Sequence, residues 1–244
     1  NRHRGRCRCA RQYRCGLPQG LYRSGAVRRL ARRQPAARSG QRALPEILDV
    51  VGLGNLERGH TPFESHVTQR VGLVRDVVTN LTFPLKNKRV LILGAGGATR
   101  GALLPLLAEQ PAELVIVNRT VAKAQELAAL AQQHQTGQVP VQGLGYADLQ
   151  GQVFDVVLNA SSSSLTAELP PLPASVFAPG ALAYDLTYGK GLTPFLQLAQ
   201  QAGVTRVADG VGMLAEQAAE AFAWWRGVRP DTAAVIAQLT VPLV

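Results

Sequence analysis

The stretch Arg89-Val-Leu-Ile-Leu93 runs apolar straight into Gly94-Ala95-Gly96-Gly97-Ala98, and no other feature of the chain restricts its fold so tightly. A continuous apolar run of that length suits a strand buried on both faces, as in parallel sheets. Each glycine that ends it has its own reason. Gly94 permits the tight turn out of the strand. Gly96 lets the backbone approach a pyrophosphate with no side chain in the way. Gly97 and Ala98 keep the start of the next helix small. The exposed N–H groups and the helix dipole then favour an anion. The same residues also suit an ordinary strand-to-helix turn, and it is the strand–turn–helix setting that favours the phosphate reading.

The pattern repeats down the chain. Helical spacing over Val71–Leu81 precedes the first strand, and a helix is expected over Ala102–Leu107. Leu114–Val117 reads as a second strand, Val121–Ala131 as a second helix, Val139–Leu144 as a third strand and Phe154–Leu158 as a fourth. Ala181–Leu186 and Val204–Ala208 supply two more strands. Helices are expected over Val211–Trp225 and Thr232–Leu239, with a break at Gly227 and Pro230. Strands alternating with helices predict an α/β fold, a doubly wound parallel sheet of the Rossmann type, with its core at about residues 88–210.

The second strand ends in Asn118-Arg119-Thr120. A domain selecting NAD usually places Asp or Glu here, to accept from the ribose 2′-hydroxyl. Here a guanidinium stands instead, and its paired donors suit a phosphate. The expected cofactor is therefore NADP. Lys123, one turn into the following helix, adds a second positive charge, although a surface lysine is also ordinary there. The fourth strand ends in Asn159-Ala160-Ser161-Ser162, small residues at the carboxyl end of a central strand, where open α/β sheets bind ligands.

The charge of +10 is not spread over the chain. Residues 1–45 hold 13 arginines and no acid, so they carry +13; residues 46–244 hold the other 13 basic residues and all 16 acidic ones, a balance of −3. The tail is expected to be a solvated, disordered segment, with electrostatic binding of nucleic acid as the less favoured reading. Its three cysteines, Cys7, Cys9 and Cys15, form no disulfide framework, and with His3 they fit no trusted zinc spacing, so no metal site is expected. No apolar run reaches the length of a membrane-spanning helix and the start lacks a signal-peptide core, so a cytoplasmic protein is expected.

Several spaced motifs then occur in one order: Gly94–Ala98, Asn118–Thr120, Asn159–Ser161, Tyr184-Asp-Leu-Thr-Tyr188 with Thr193-Pro-Phe195, and Asp209-Gly-Val-Gly-Met-Leu214 followed by Gln217. Together they resemble the shikimate dehydrogenases, over residues 71–244. The resemblance implies NADPH-dependent reduction of 3-dehydroshikimate to shikimate in aromatic amino-acid biosynthesis. It implies that Gly94, Ala95, Gly96, Gly97 and Ala98 hold the pyrophosphate and that Asn118, Arg119, Thr120 and Lys123 hold the 2′-phosphate end. Asn159, Ala160 and Ser161 would line the cofactor cleft, Gly210 and Met213 would lie near the nicotinamide, and Tyr188 and Gln217 would contact the substrate. A homodimer is allowed by the resemblance.

The N-terminal part departs from that family. Its catalytic Lys, in an Asn-Val-Thr-x-Pro-x-Lys motif, and its Asp, in an Asn-Thr-Asp-Gly motif, have no counterpart here, and the first lysine of the chain is Lys86. Aligned on Val71–Asp76, the Asp position falls on Gln69, which cannot ionise. No catalytic residue is therefore assigned. Residues 1–70 are expected to be an atypical segment in place of the substrate domain, either a wrong-frame translation or a replaced N-terminus. The alternative to an active enzyme is an inactive NADP-binding remnant.

Overall fold

The structure, a computed structural model, describes residues 71–161, 171–189 and 191–243. The arginine-rich tail, its cysteines and Gln69 lie outside the described residues, as does Ser162. The described part is built on a six-stranded sheet in the order β3-β2-β1-β4-β5-β6. The strands are β1 (Arg89–Leu93), β2 (Glu113–Val117), β3 (Val141–Leu144), β4 (Phe154–Asn159), β5 (Phe177–Asp185) and β6 (Arg206–Ala208). All pairings are parallel. The helices are α1 (Gly97–Ala108), α2 (Val121–His134), α3 (Pro194–Gln201), α4 (Val211–Arg226) and α5 (Ala233–Leu239).

Side chains alternate across a strand, so the apolar runs feed two cores. Val90 and Ile92 of β1, Leu114 and Ile116 of β2, and Leu158 of β4 share one cluster with Leu106 of α1 and Leu127 of α2. Leu91, Leu93, Val115, Val117 and Val157 turn to the other face, where Phe195 and Leu196 of α3 cover them. A sheet covered on both faces requires apolar residues at successive positions, which is what β1 and β2 show. The chain winds outward from β1 in both directions, so the strand order reverses between β1 and β4. Open sheets of this kind bind ligands at that reversal, beyond the carboxyl ends of the strands.

Most sequence expectations hold, with shifted bounds. α1 begins at Gly97, five residues before the expected start, and tolerates Pro105 in its interior. β3 starts at Val141 instead of Val139. β5 starts at Phe177 instead of Ala181, because Gly180 at φ 75° and a register shift let the strand continue past its glycine. The expected helix over Val71–Leu81 ends in a π-helical turn, Asp76–Asn80. α3 was not expected at all. Among the described residues, no helix is long and apolar enough to cross a membrane.

Candidate functional site

The register puts Leu93 beside Asn159 and Leu93 beside Val117, so the turns that leave β1, β2 and β4 meet at one end of the sheet. Gly94 adopts φ 101°, a backbone conformation that side chains rarely take. A Cβ there would also meet Ser161 Cα at 3.0 Å and the Ala160 carbonyl oxygen at 3.1 Å. The turn is fixed by the Gly94 N–H donating to the Val117 carbonyl (2.7 Å) and by the buried Thr99 hydroxyl donating to the Gly94 carbonyl (2.6 Å). Gly96 and Gly97 are the opposite case. They are exposed, and a Cβ built on either has nothing within 4 Å among the described residues. Packing against the described residues does not explain their lack of side chains. Gly96 caps α1, whose first turn holds no acid, so its free N–H groups face an open, anion-favouring space.

At the end of β2, the Asn118 side-chain amide donates to the Thr120 carbonyl (3.0 Å), shaping the turn into α2. Arg119 and Lys123 are exposed beside it. Among the described residues, no carboxylate forms an ion pair with either. Arg119 does lie close enough to Tyr146 to favour its ionised form, although burial dominates and pushes that phenol up. A guanidinium at this position, unneutralised by described carboxylates, suits a phosphate, and the residues present fit a 2′-phosphorylated dinucleotide.

The end of β4 is buried and polar. The Asn159 carboxamide oxygen accepts from the Ser161 N–H (3.2 Å) and hydroxyl (2.7 Å), and its nitrogen donates to Asp185 (3.2 Å). Asp185, fully buried at the end of β5, also accepts from the Thr193 hydroxyl (2.7 Å) and the Thr187 N–H (3.0 Å). Sequence reading placed Asp185 and Thr193 in spaced motifs but gave neither a role. The signal was present, since Thr193-Pro194 is a cap followed by a proline at the first helical position.

Gly210 and Met213 lie at the start of α4. A Cβ on Gly210 would come within 2.4 Å of the Leu186 carbonyl oxygen, so the start of α4 packs directly on the strand-end loop. Asp209 holds both sides together, accepting from the Val211 N–H (3.2 Å) and the Gly189 N–H (3.3 Å). Tyr188 is half exposed on that loop, at 49%. Gln217 sits one turn further along α4, against Gly72 of the leading helix, and its buried side-chain nitrogen has no hydrogen-bond partner among the described residues.

A second polar cluster, also missed from sequence, lies beneath this end of α4. Buried Asp76 accepts from the Tyr184 hydroxyl (2.7 Å) and the Asn80 amide (2.9 Å). Burial pushes the Asp76 carboxyl above the usual range, against the pull of both donors. Tyr184 is driven well up by burial first and then by Asp76. Glu216, also buried, collects Thr232 (2.6 Å), Asn80 (3.0 Å) and Arg229. Burial opposes its ionisation, but those donors outweigh it and hold the carboxyl below the usual range.

Known proteins share this arrangement. The family described as shikimate / quinate 5-dehydrogenase matches residues 76–167, and the shikimate 5'-dehydrogenase C-terminal domain matches residues 210–240. A shikimate dehydrogenase (NADP(+)) of Dechloromonas aromatica is 56% identical over 177 residues, covering 72% of this chain and 63% of that enzyme. The crystal structure of an Ael1 enzyme from Pseudomonas putida is 59% identical with a TM-score of 0.67, over 72% of this chain and 64% of that one. A shikimate dehydrogenase solved with NADP+ is 28% identical with a TM-score of 0.59, over 71% and 62%. The chain thus spans about three-fifths of the length of the curated relatives it matches. From its π-helical turn to its last helix, it belongs to the shikimate dehydrogenase family.

Proposed function

We propose that residues 71–244 bind NADP across the carboxyl ends of β1, β2 and β4. They would serve as the cofactor half of a shikimate dehydrogenase, an oxidoreductase that reduces 3-dehydroshikimate to shikimate with NADPH in aromatic amino-acid biosynthesis. The observation that carries this reading is the pairing of two glycines that face open space, Gly96 and Gly97, with the exposed guanidinium of Arg119 on the neighbouring strand end. In this reading Gly94–Ala98 hold the pyrophosphate and Asn118, Arg119, Thr120 and Lys123 hold the 2′-phosphate. Asn159, Ala160 and Ser161 wall the cleft, and Gly210 and Met213 floor the nicotinamide end. NADPH held by these residues would supply the hydride for reduction of the substrate carbonyl. Tyr188 and the unpartnered amide of Gln217 offer donors to the substrate's hydroxyl or carboxylate groups. A buried donor without an acceptor costs about 1–3 kcal/mol, and a ligand oxygen would remove that cost. In sequence order, residues 1–70 take the place of the substrate domain. The assembly proposed is a cytoplasmic homodimer.

A second reading, cofactor binding without turnover, is favoured by one observation. Reduction needs a proton donor at the carbonyl oxygen. Of the described lysines, Lys86 and Lys88 precede β1 at the amino end of the sheet, and Lys123 stands beside Arg119 on α2. Shikimate-dependent reduction of NADP, measured beside NADPH binding, separates the readings. Turnover supports the first. Binding without turnover supports the second. A chain that binds neither NADP nor NADPH overturns both.

A further inference from the structure

The buried carboxylate of Asp185 touches three segments that converge on the cleft. One of its oxygens accepts from the Asn159 amide (3.2 Å) and from the Thr193 hydroxyl (2.7 Å). The other accepts from the Thr187 N–H (3.0 Å). Thr187 and Thr193 lie at the two ends of the loop that carries Tyr188, so one carboxylate ties both ends of that loop. Thr193 passes the restraint on by capping α3, where its hydroxyl oxygen accepts from the Leu196 N–H (3.3 Å).

The contact with Asn159 acts on the other wall. A carboxamide can turn over, exchanging its oxygen and nitrogen. Asp185 accepts only, so it holds the Asn159 nitrogen inward and leaves the oxygen for the Ser161 N–H and hydroxyl (3.2 and 2.7 Å). That fixes the backbone at 160–161, the same atoms that lie 3.0–3.1 Å from the position of a Gly94 Cβ. The shape of the cleft between β1 and β4 therefore depends on which way the Asn159 amide faces.

We propose that Asp185 is a positioning residue that orients Asn159 and the two ends of the adjoining loop, Thr187 and Thr193, together, pre-forming the nicotinamide end of the cleft without touching the ligand. The proposal rests on the cofactor-binding reading above. It predicts an effect confined to one half of the dinucleotide, because the adenosine end is built on β2 and α2, which Asp185 does not contact in any of these hydrogen bonds.

The test compares two ligands on the full chain by titration calorimetry: NADPH, which spans the cleft, and adenosine 2′,5′-bisphosphate, which reaches the adenosine end only. Asp185→Asn turns one of the two acceptor oxygens into a donor, so either the Asn159 and Thr193 donors or the Thr187 N–H loses its acceptor. The expected result is NADPH binding weakened about tenfold, the scale of a lost charge-assisted hydrogen bond. The bisphosphate should bind within about twofold of the original. Exchanging the pair, Asn159→Asp with Asp185→Asn, restores a donor facing an acceptor and should recover most of the NADPH affinity. If Asp185→Asn does not fold, Thr193→Val removes the hydroxyl that bonds Asp185 and caps α3, leaves the Asn159 and Thr187 contacts of Asp185 in place, and should show the same selectivity on a smaller scale. Equal weakening of both ligands, or no change in NADPH affinity in a folded variant, overturns the proposal alone. An unaltered chain that binds neither ligand overturns the cofactor reading and this proposal with it.

Discussion

The Tyr184 hydroxyl donates to the Asp76 carboxylate at 2.7 Å, joining the last turn of the leading helix to the end of a central strand. Both groups are buried, so neither finds water in place of the other. Tyr184→Phe should cost about 1–3 kcal/mol in urea unfolding, the penalty of a buried acceptor short of a donor. The pH dependence adds a sign. Asp76 titrates above its unfolded value, so the stability it contributes is complete below the ordinary carboxylate range and is lost as pH rises through the folded value. Removing the Tyr184 donor raises that value further. The gap between variant and parent should therefore widen from acid towards neutral pH, and a constant gap would contradict this account.

Glu216 should behave in the opposite sense. Its carboxyl is held low, so the stability it contributes is present above the ordinary glutamate range and is lost as pH falls through the lower folded value. Glu216→Gln should unfold at lower urea than the parent at neutral pH, with the difference shrinking in acid. Glu216→Ala should cost more, about 3–5 kcal/mol, because Arg229 and Thr232 lose their shared acceptor.

Glycine substitutions separate packing from ligand space. A Cβ at position 212 would lie 2.0 Å from an Asp76 oxygen, so Gly212→Ala should lower stability by about 1–3 kcal/mol or more. Gly97→Ala meets nothing within 4 Å and lies in a helix, so thermal unfolding should be unchanged or slightly later. Its NADPH affinity should nevertheless fall by about tenfold or more, since the methyl would enter the anion's space. Unimpaired binding in Gly97→Ala would remove the glycine turn from the proposed site.

Arg119→Ala should weaken NADPH binding by about ten- to a hundredfold and leave NADH binding nearly unchanged, because only the former carries the 2′-phosphate. Paired titrations with the two dinucleotides give the ratio. Equal losses would place Arg119 on the pyrophosphate or outside the site.

The sheet was legible because both of its faces are covered: β1 and β2 are buried and apolar after their first residue, as β4 is over Val156–Leu158, and such runs stand out in a sequence. The glycine turn and Arg119 were legible for a similar reason, since each lies at a fixed offset from a strand end. Asp185 and Asp76 were not. Each gains meaning from a partner many residues away, such as Asn159 or Tyr184, and spacing along the chain does not show which polar residues will be buried together. The helix Pro194–Gln201 was hidden by its length, as eight residues hold barely two turns of periodicity. β5 outran its expected start because a glycine with positive φ interrupts the pattern without ending the strand.

The central strand β1 has a neighbour on each side, and the two reach it from very different distances along the chain. β2 begins 24 positions after the matching residue of β1, whereas Val90 pairs with Val156 on the other side. A polypeptide emerging from the ribosome can thus close one flank of β1 early, while the other stays open until β4 has been made. Half of the proposed dinucleotide crevice is missing during that interval. On the proposed reading, cofactor capture by a nascent chain waits for residue 161, and a ribosome-stalled series of increasing length should show binding switch on only after that point.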